Sequence, residues 1–202
     1  SQLASEEAVT IVSAVSESRI TLQDLLDRTS ESEPLGLHYR TRYPLAVHRA
    51  GLEAIELIDR FPVLTGHFGY TRGDSTPGKS RLRTWKDRKY RQQVIYGDLQ
   101  ETEALFLRLD PVRVVELLRA RGHDLPAAGD PSAARRSILE RATIPQPGDE
   151  PDEDSIGADL LSLLHSYSHR FIRQAAVLAG LDRNSLAELL VPTHLGVFVY
   201  AA

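Results

Sequence analysis

Residues 103–122 read EALFLRLDPVRVVELLRARG, a strand-like run that passes directly into a helix-like run. The first part alternates like a half-buried strand, although Arg108 interrupts its apolar character. Asp110-Pro111 is typical of a helix start, and Gly122 is typical of a residue just beyond a helix end. The junction therefore predicts a strand followed by an amphipathic helix, as expected in an α+β fold.

Two stretches upstream of this junction also have β character. Residues 63–71 are rich in aromatic and β-branched side chains, and residues 93–96 (QVIY) form a short strand candidate. Gly97-Asp98 and polar residues connect that candidate to the strand at 103–109. We therefore expect a small, mainly antiparallel sheet carried by residues 63–110.

The part of the chain before this sheet is predicted to be helical. The first 30 residues show helical spacing of apolar side chains, and Thr21 is an N-cap candidate. Residues 45–59 also carry apolar side chains near helical spacing, and Pro62 follows as the residue that ends the run. We expect two helical stretches here.

The part of the chain after the sheet is also predicted to be mainly helical. Residues 131–142 and 156–179 are helix candidates, Gly180 ends the second one, and Ser185–Glu188 resembles a capping box for a short helix ending near Pro192. The longer helix carries one apolar stripe, which comprises Leu160, Leu164, Tyr167, Phe171, Ala175 and Leu178. Between these helices, residues 144–155 hold three prolines and five acids and predict an acidic linker.

These expectations divide the chain into four regions. They are a helical region at 1–60, a sheet-containing region with a basic loop at 61–143, the acidic linker at 144–155, and a helical C-terminal region at 156–202. The fold class is thus α+β, with a helical N-terminal part, a small mainly antiparallel sheet and a helical C-terminal part after the linker.

The composition excludes several classes of protein. The 202 residues include 42% hydrophobic and 26% charged residues, as in ordinary globular proteins, and there is no cysteine for a disulfide or a thiolate metal site. No apolar run approaches the roughly 20 residues that cross a bilayer, and no secretory leader is recognisable. We expect a cytoplasmic protein and, because methionine is absent and residues 195–200 are apolar, a fragment of a longer chain.

A basic segment is the clearest candidate for a binding site. Residues 79–91 (KSRLRTWKDRKYR) contain seven basic residues against Asp87 alone. Cations neutralise phosphates, and aromatic rings stack on unpaired bases, so this combination suits single-stranded nucleic acid. The residues expected to contact nucleic acid are Lys79, Arg81, Arg83, Trp85, Lys86, Arg88, Lys89 and Arg91. A solvated loop and a surface for an acidic protein remain as alternatives.

Residues 73–80 (GDSTPGKS) match the phosphate-loop pattern, which requires a strand before it and a helix after it. Pro77 lacks the N–H group that such a loop would aim at a phosphate, and the following residues have few apolar side chains for packing on a sheet. A phosphate-loop ATPase that uses Lys79 and Ser80, with Asp110 on magnesium, is therefore an alternative only. We favour a chance match.

Two histidines lie one helical turn apart in HSYSH, at His165 and His169. This spacing can bind zinc, but Ser166 occupies the position of the glutamate that metalloproteases use as a general base. We assign both histidines to structure. No residue is assigned to catalysis or to a metal.

The C-terminal segment resembles the start of the helicase-associated zinc-binding domain of MrfA-like helicases, through His165–His169, residues 180–186 and residues 196–200. Upstream, FGYTRGD at 68–74 and ETEALFLRLD at 101–110 resemble motifs of DrmB, a protein of the DISARM anti-phage system. The resemblance implies that residues 156–202 are the start of a truncated helicase-associated domain. It also implies that zinc-binding cysteines belong to a continuation beyond Tyr200, so no cofactor is expected within this chain.

On this basis, the resemblance implies a non-catalytic, DNA-associated subunit that accompanies a helicase in bacterial anti-phage defence. The helicase would supply the ATPase activity. The expected partners are that helicase and DNA, with single-stranded DNA included, and no membrane is expected. A protein-interaction scaffold with no nucleic-acid role is the third hypothesis.

Overall fold

A computed structural model describes residues 10–28, 33–72, 81–145 and 154–201. In these ranges the protein is α+β, with six named helices and a five-stranded, mainly antiparallel sheet. The chain forms two compact units: a large unit of residues 1–61 and 103–202, and a small unit of residues 62–102. The predicted acidic linker falls mostly on residues 146–153, which lie outside the described ranges.

The elements follow one another along the chain in a mixed order. The helices are α1 (Leu22–Arg28), α2 (Glu33–Thr41), α3 (Tyr43–Arg49), α4 (Pro111–Ala120), α5 (Pro131–Leu139) and α6 (Ile156–Ala179). The strands are β1 (Arg19–Ile20), β2 (Leu52–His67), β3 (Gly69–Arg72), β4 (Arg81–Thr84), β5 (Tyr96–Leu109), β6 (Leu186–Val191) and β7 (Gly196–Ala201). Residues 10–14 are also helical. No helix in the described ranges has both the length and the apolar character needed to cross a membrane.

The main sheet has the strand order β1-β2-β5-β7-β6, so that β5 and β7 lie side by side inside it. Strand β5 pairs antiparallel with β7, so that Leu107 lies opposite Val197. Both side chains are fully buried in a core that includes Val115 of α4 and Leu160 of α6. The helices on this face thus pack against alternate residues of the sheet, as the period of two along a strand requires.

Aromatic side chains occupy the intervening positions of the same strands. The rings of Phe106 and Phe198, which lie opposite each other, stack with centroids 4.2 Å apart. Phe61 of β2 packs against Phe198 at 5.1 Å and against Tyr200 at 5.0 Å. Such aromatic contacts across strands help to fix the register of the sheet.

Helices whose ends have clear local signals were predicted correctly. Helix α6 begins after Ser155, whose hydroxyl accepts a hydrogen bond from the Ala158 N–H at 3.1 Å, and ends at Gly180 with φ of +69°. Asp110 caps α4 by accepting from the Val112 N–H. Thr21 caps α1, where it accepts from the Asp24 N–H while the Asp24 carboxylate accepts from the Thr21 N–H.

The predicted helix at 45–59 was wrong beyond Arg49. Helix α3 ends there, Gly51 adopts a φ of +79°, and β2 begins at Leu52. Glycine adopts that backbone conformation without steric cost, so the chain can reverse at this point. The apolar residues after it are used by the sheet, where Ile58 is fully buried.

The short helix predicted from the capping box at Ser185–Glu188 was also wrong. Residues 186–191 form strand β6, which pairs along its whole length with β7, and Glu188 lies opposite Val199. Pairing with an apolar neighbouring strand outweighs a local helix-start signal. Neither end of the chain is therefore purely helical.

The apolar stripe of α6 was also only partly correct. Leu160 and Leu164 are fully buried, but further along the helix the buried positions are Ser168, Ile172 and Ala176. The predicted stripe member Leu178 is 86% exposed. The face that packs in the core thus follows a spacing of four residues, and it brings a serine into the interior.

Asp159, in the first turn of α6, connects this helix to the segment after α4. Its carboxylate accepts a hydrogen bond from Arg121 Nε at 2.6 Å and lies 2.8 Å from His123 Nε2. Arg121, and after it His123, hold the pKa of this carboxyl below its ordinary value. A carboxyl whose pKa is lowered by folding stabilises the folded state above its unfolded pKa, and the stabilisation is lost as pH falls through the folded pKa.

We therefore expect Asp159→Asn to reduce the free energy of unfolding at pH 7 by roughly 1 kcal/mol, a value kept small by solvent screening of Arg121. Urea denaturation of both proteins from pH 7 to pH 3 would measure this. The difference should begin to shrink as the pH falls below about 4, where the unfolded-state carboxyl starts to become protonated, and it should shrink further towards the lowered pKa of the folded state. A difference that stays constant with pH would show that the charge of Asp159 does not stabilise the fold.

Candidate functional site

The basic segment lies in the small unit, on a β-hairpin and the turn that follows it. Strands β3 and β4 pair antiparallel, with Tyr70 opposite Arg83. Gly69 lies opposite Thr84, where an added Cβ would be 2.3 Å from the Arg83 carbonyl oxygen. Only glycine permits this close approach of the two strands, so Gly69 fixes the register that places Arg83 beside Tyr70.

A tight turn follows β4. Lys86 bridges to Gln93, and the Asp87 carboxylate accepts hydrogen bonds from the main-chain N–H groups of Lys89 at 2.8 Å and Tyr90 at 2.7 Å. Arg91 completes the turn with a φ of +59°. The one acidic residue of the segment is thus used to shape the turn that presents its basic neighbours.

Six of the predicted cations form what we call the basic surface. Its members are Arg81, Arg83, Lys86, Arg88, Lys89 and Arg91, and all six are exposed. Within the part of the chain that the structure describes, none of them forms an ion pair, whereas Arg19, Arg108, Arg121 and Arg135 of the large unit all do. Lys79, the seventh predicted cation, lies outside the described residues.

The charge of the small unit is opposite to that of the whole chain. Residues 62–102 contain eight basic and four acidic residues, which gives +4, while the chain as a whole carries −4. The rest of the chain therefore carries −8. A positive unit in an acidic protein is a local feature that can attract an anionic polymer.

Aromatic side chains lie among these cations. Trp85 is partly buried and makes an edge-on contact with Tyr96, with centroids 5.3 Å apart. Tyr96 and Tyr90 are 63% and 66% exposed, and Lys89 Nζ lies 5.0 Å from the Tyr90 ring centroid. Sequence reasoning chose Trp85 for stacking and missed Tyr70 and Tyr96, since only the pairing of strands and rings places these tyrosines beside the basic residues.

The phosphate-loop alternative lacks the context that it needs. Residues 73–80 lie outside the described ranges, but the residues directly after them form strand β4 instead of a helix. Asp110, the proposed magnesium ligand, caps helix α4 by accepting from the Val112 N–H at 2.9 Å. The pattern at 73–80 is thus not followed by the helix on which a phosphate loop depends.

The structure brings a glutamate to the two histidines of α6. We call His165, His169 and Glu188 the histidine cluster. His165 Nδ1 is 2.8 Å and His169 Nε2 is 3.9 Å from Glu188 Oε1, and the two imidazole centroids are 4.3 Å apart. Sequence reasoning missed Glu188 because it placed this residue in a helix cap. Glu188 is 19 residues beyond His169 in the chain, and strand β6 brings it next to α6.

No known protein family, curated protein or solved structure matches this chain.

Proposed function

We propose that this protein binds nucleic acid through the basic surface and acts as a non-catalytic, DNA-associated subunit. The observation that carries the proposal is the exposure of six cations on one hairpin and turn, among exposed tyrosines, with no ion pair to any of the described residues. Exposed cations that are not held in ion pairs are available to neutralise phosphates, and each contact releases counterions into solution.

The aromatic residues favour a single strand over a duplex. Tyr90 and Tyr96 expose most of their surface, and a base that is not paired can stack on such a ring. Strand β3 adds Tyr70 beside Arg83. An alternation of cations and rings suits a flexible strand, whose phosphates and bases both face the protein.

The helicase partner is proposed on the resemblance to DrmB-like proteins and to the helicase-associated domain. Under this proposal the helicase hydrolyses ATP in a cytoplasmic anti-phage complex, and this chain holds DNA without chemistry of its own. A strand, and not a helix, follows residues 73–80, which supports a role for this chain that does not use a phosphate loop.

Fluorescence anisotropy of a labelled single-stranded DNA, titrated with the protein at several salt concentrations, tests the proposal. Each neutralised phosphate contributes about −0.7 to the slope of log affinity against log salt, so six contacts give a slope near −4. Between 50 and 200 mM salt the affinity should therefore fall about 250-fold.

Absence of binding at the lowest salt concentration would refute the proposal. In that case a solvated loop and a site for an acidic protein would be the remaining alternatives, and a nuclease-resistant complex with a purified acidic partner would identify the scaffold role. Binding with a slope near zero would likewise contradict phosphate contacts from the basic surface.

A further inference from the structure

The histidine cluster belongs to the large unit, whereas the basic surface belongs to the small unit, so the proposed function does not account for it. We propose that the histidine cluster binds a divalent transition-metal ion of the zinc type. His165, His169 and Glu188 would supply three ligands, and the fourth coordination position would be open.

The distances fit such an ion after small side-chain movements. One donor atom from each of the three residues lies within 4.8 Å of the others. Zinc binds imidazole nitrogen and carboxylate oxygen at about 2.0–2.2 Å, so tetrahedral ligands lie about 3.3 Å apart. The separations of 2.8 and 3.9 Å from Glu188 Oε1 fall on either side of this value. Rotation about side-chain bonds is enough to reach it.

The cluster stands on rigid elements and has a supporting residue. Ser168 is fully buried in the core face of α6, and its hydroxyl donates to Glu188 Oε2 or to the His165 carbonyl oxygen. With Oε2 held by Ser168, Oε1 is directed towards the two imidazoles. Hydrogen bonds of this kind orient the ligands of known metal sites.

An ion pair between His165 and Glu188 explains only part of the arrangement. The His169 imidazole, only 4.3 Å from the His165 ring, has no hydrogen-bond partner among the residues that the structure describes. Two imidazoles thus converge on one carboxylate oxygen that forms a short contact with only one of them. A bridging cation satisfies all three side chains together.

The site is accessible from solvent on the side away from the core. The two histidine side chains are 55% and 56% exposed, and a surface cavity of about 560 Å³ lies beside His169 and Glu188. Arg173 and Asn184 also line this cavity. Zinc sites with three protein ligands keep the fourth position for water or another small ligand. Because Ser166 stands where zinc proteases have a glutamate, we propose binding without a hydrolytic step.

Calorimetric titration of the chelator-treated, tag-free chain with Zn²⁺ tests the inference, and Co²⁺ absorption reports the coordination geometry. We expect one ion per chain and a Co²⁺ spectrum of the tetrahedral type. His169→Ala and Glu188→Gln should each weaken Zn²⁺ binding by at least about 100-fold, and Ser168→Ala by about 10-fold, because outer partners of metal ligands typically contribute 10–100-fold.

His48→Ala is the matched control, since His48 is an exposed histidine outside the cluster. Its Zn²⁺ affinity should equal that of the wild type. Far-UV circular dichroism of each variant shows whether it is folded, and Glu188→Gln preserves shape if His169→Ala does not fold. The proposal would be overturned if the wild-type chain showed no saturable Zn²⁺ binding. It would also be overturned if His48→Ala weakened Zn²⁺ binding as strongly as Glu188→Gln.

Discussion

Replacement of all six residues of the basic surface by glutamine is expected to reduce affinity for a single-stranded DNA by at least about 100-fold at 50 mM salt. The salt slope should fall from about −4 towards zero, because the slope counts the phosphates that the protein neutralises. The substitutions lie at exposed positions outside the core, so the fold should persist. Anisotropy titrations at two salt concentrations, with circular dichroism of both proteins, measure these effects.

A control with the same loss of charge separates local contacts from net charge. Six exposed arginines of the large unit that form no described ion pair can be replaced by glutamine instead: Arg40, Arg42, Arg49, Arg119, Arg136 and Arg170. Both variants carry six fewer positive charges, but only the first removes the basic surface. An equal loss of affinity in both variants would show that total charge, and not this surface, governs the interaction.

The parts of this fold that could be predicted from sequence are those determined by neighbouring residues. Helix α6 runs from Ile156 to Ala179 as expected, because its apolar spacing and the terminating Gly180 lie within one stretch. The start of α4 was predicted for the same reason, since Asp110 and Pro111 act locally. The cations of the basic surface were identified because a run of basic residues can be recognised in the sequence without knowledge of the strands and helices around it.

The parts that could not be predicted depend on residues far apart in the chain. Residues 52–59 and 186–191 have spacings compatible with a helix, but β5 and β7 provide apolar strands on which they pair. Strand pairing with distant segments outweighs weak local preferences. The same misassignment hid the histidine cluster, because Glu188 reaches His165 only as a residue of β6.

Gly157→Ala is expected to destabilise the large unit by about 2 kcal/mol, although alanine is the better helix former. An added Cβ at position 157 would lie 1.8 Å from the Thr143 carbonyl oxygen and 2.6 Å from its carbonyl carbon. The obstacle is backbone, so it cannot be relieved by a change of rotamer. The helix propensity of alanine returns at most about 1 kcal/mol of an overpacking cost of about 3 kcal/mol.

Relief of this clash would require the start of α6 to move away from residues 143 and 144. Such a movement would weaken the cap between Ser155 and Ala158 and the contact between Asp159 and Arg121. Urea denaturation of Gly157→Ala, with Gly129→Ala as the matched control, measures the cost. Gly129 has no atom within 4 Å of an added Cβ, so its substitution should change stability by less than about 0.5 kcal/mol. Equal stability of the two variants would show that the peptide between residues 143 and 144 does not pack against the first turn of α6.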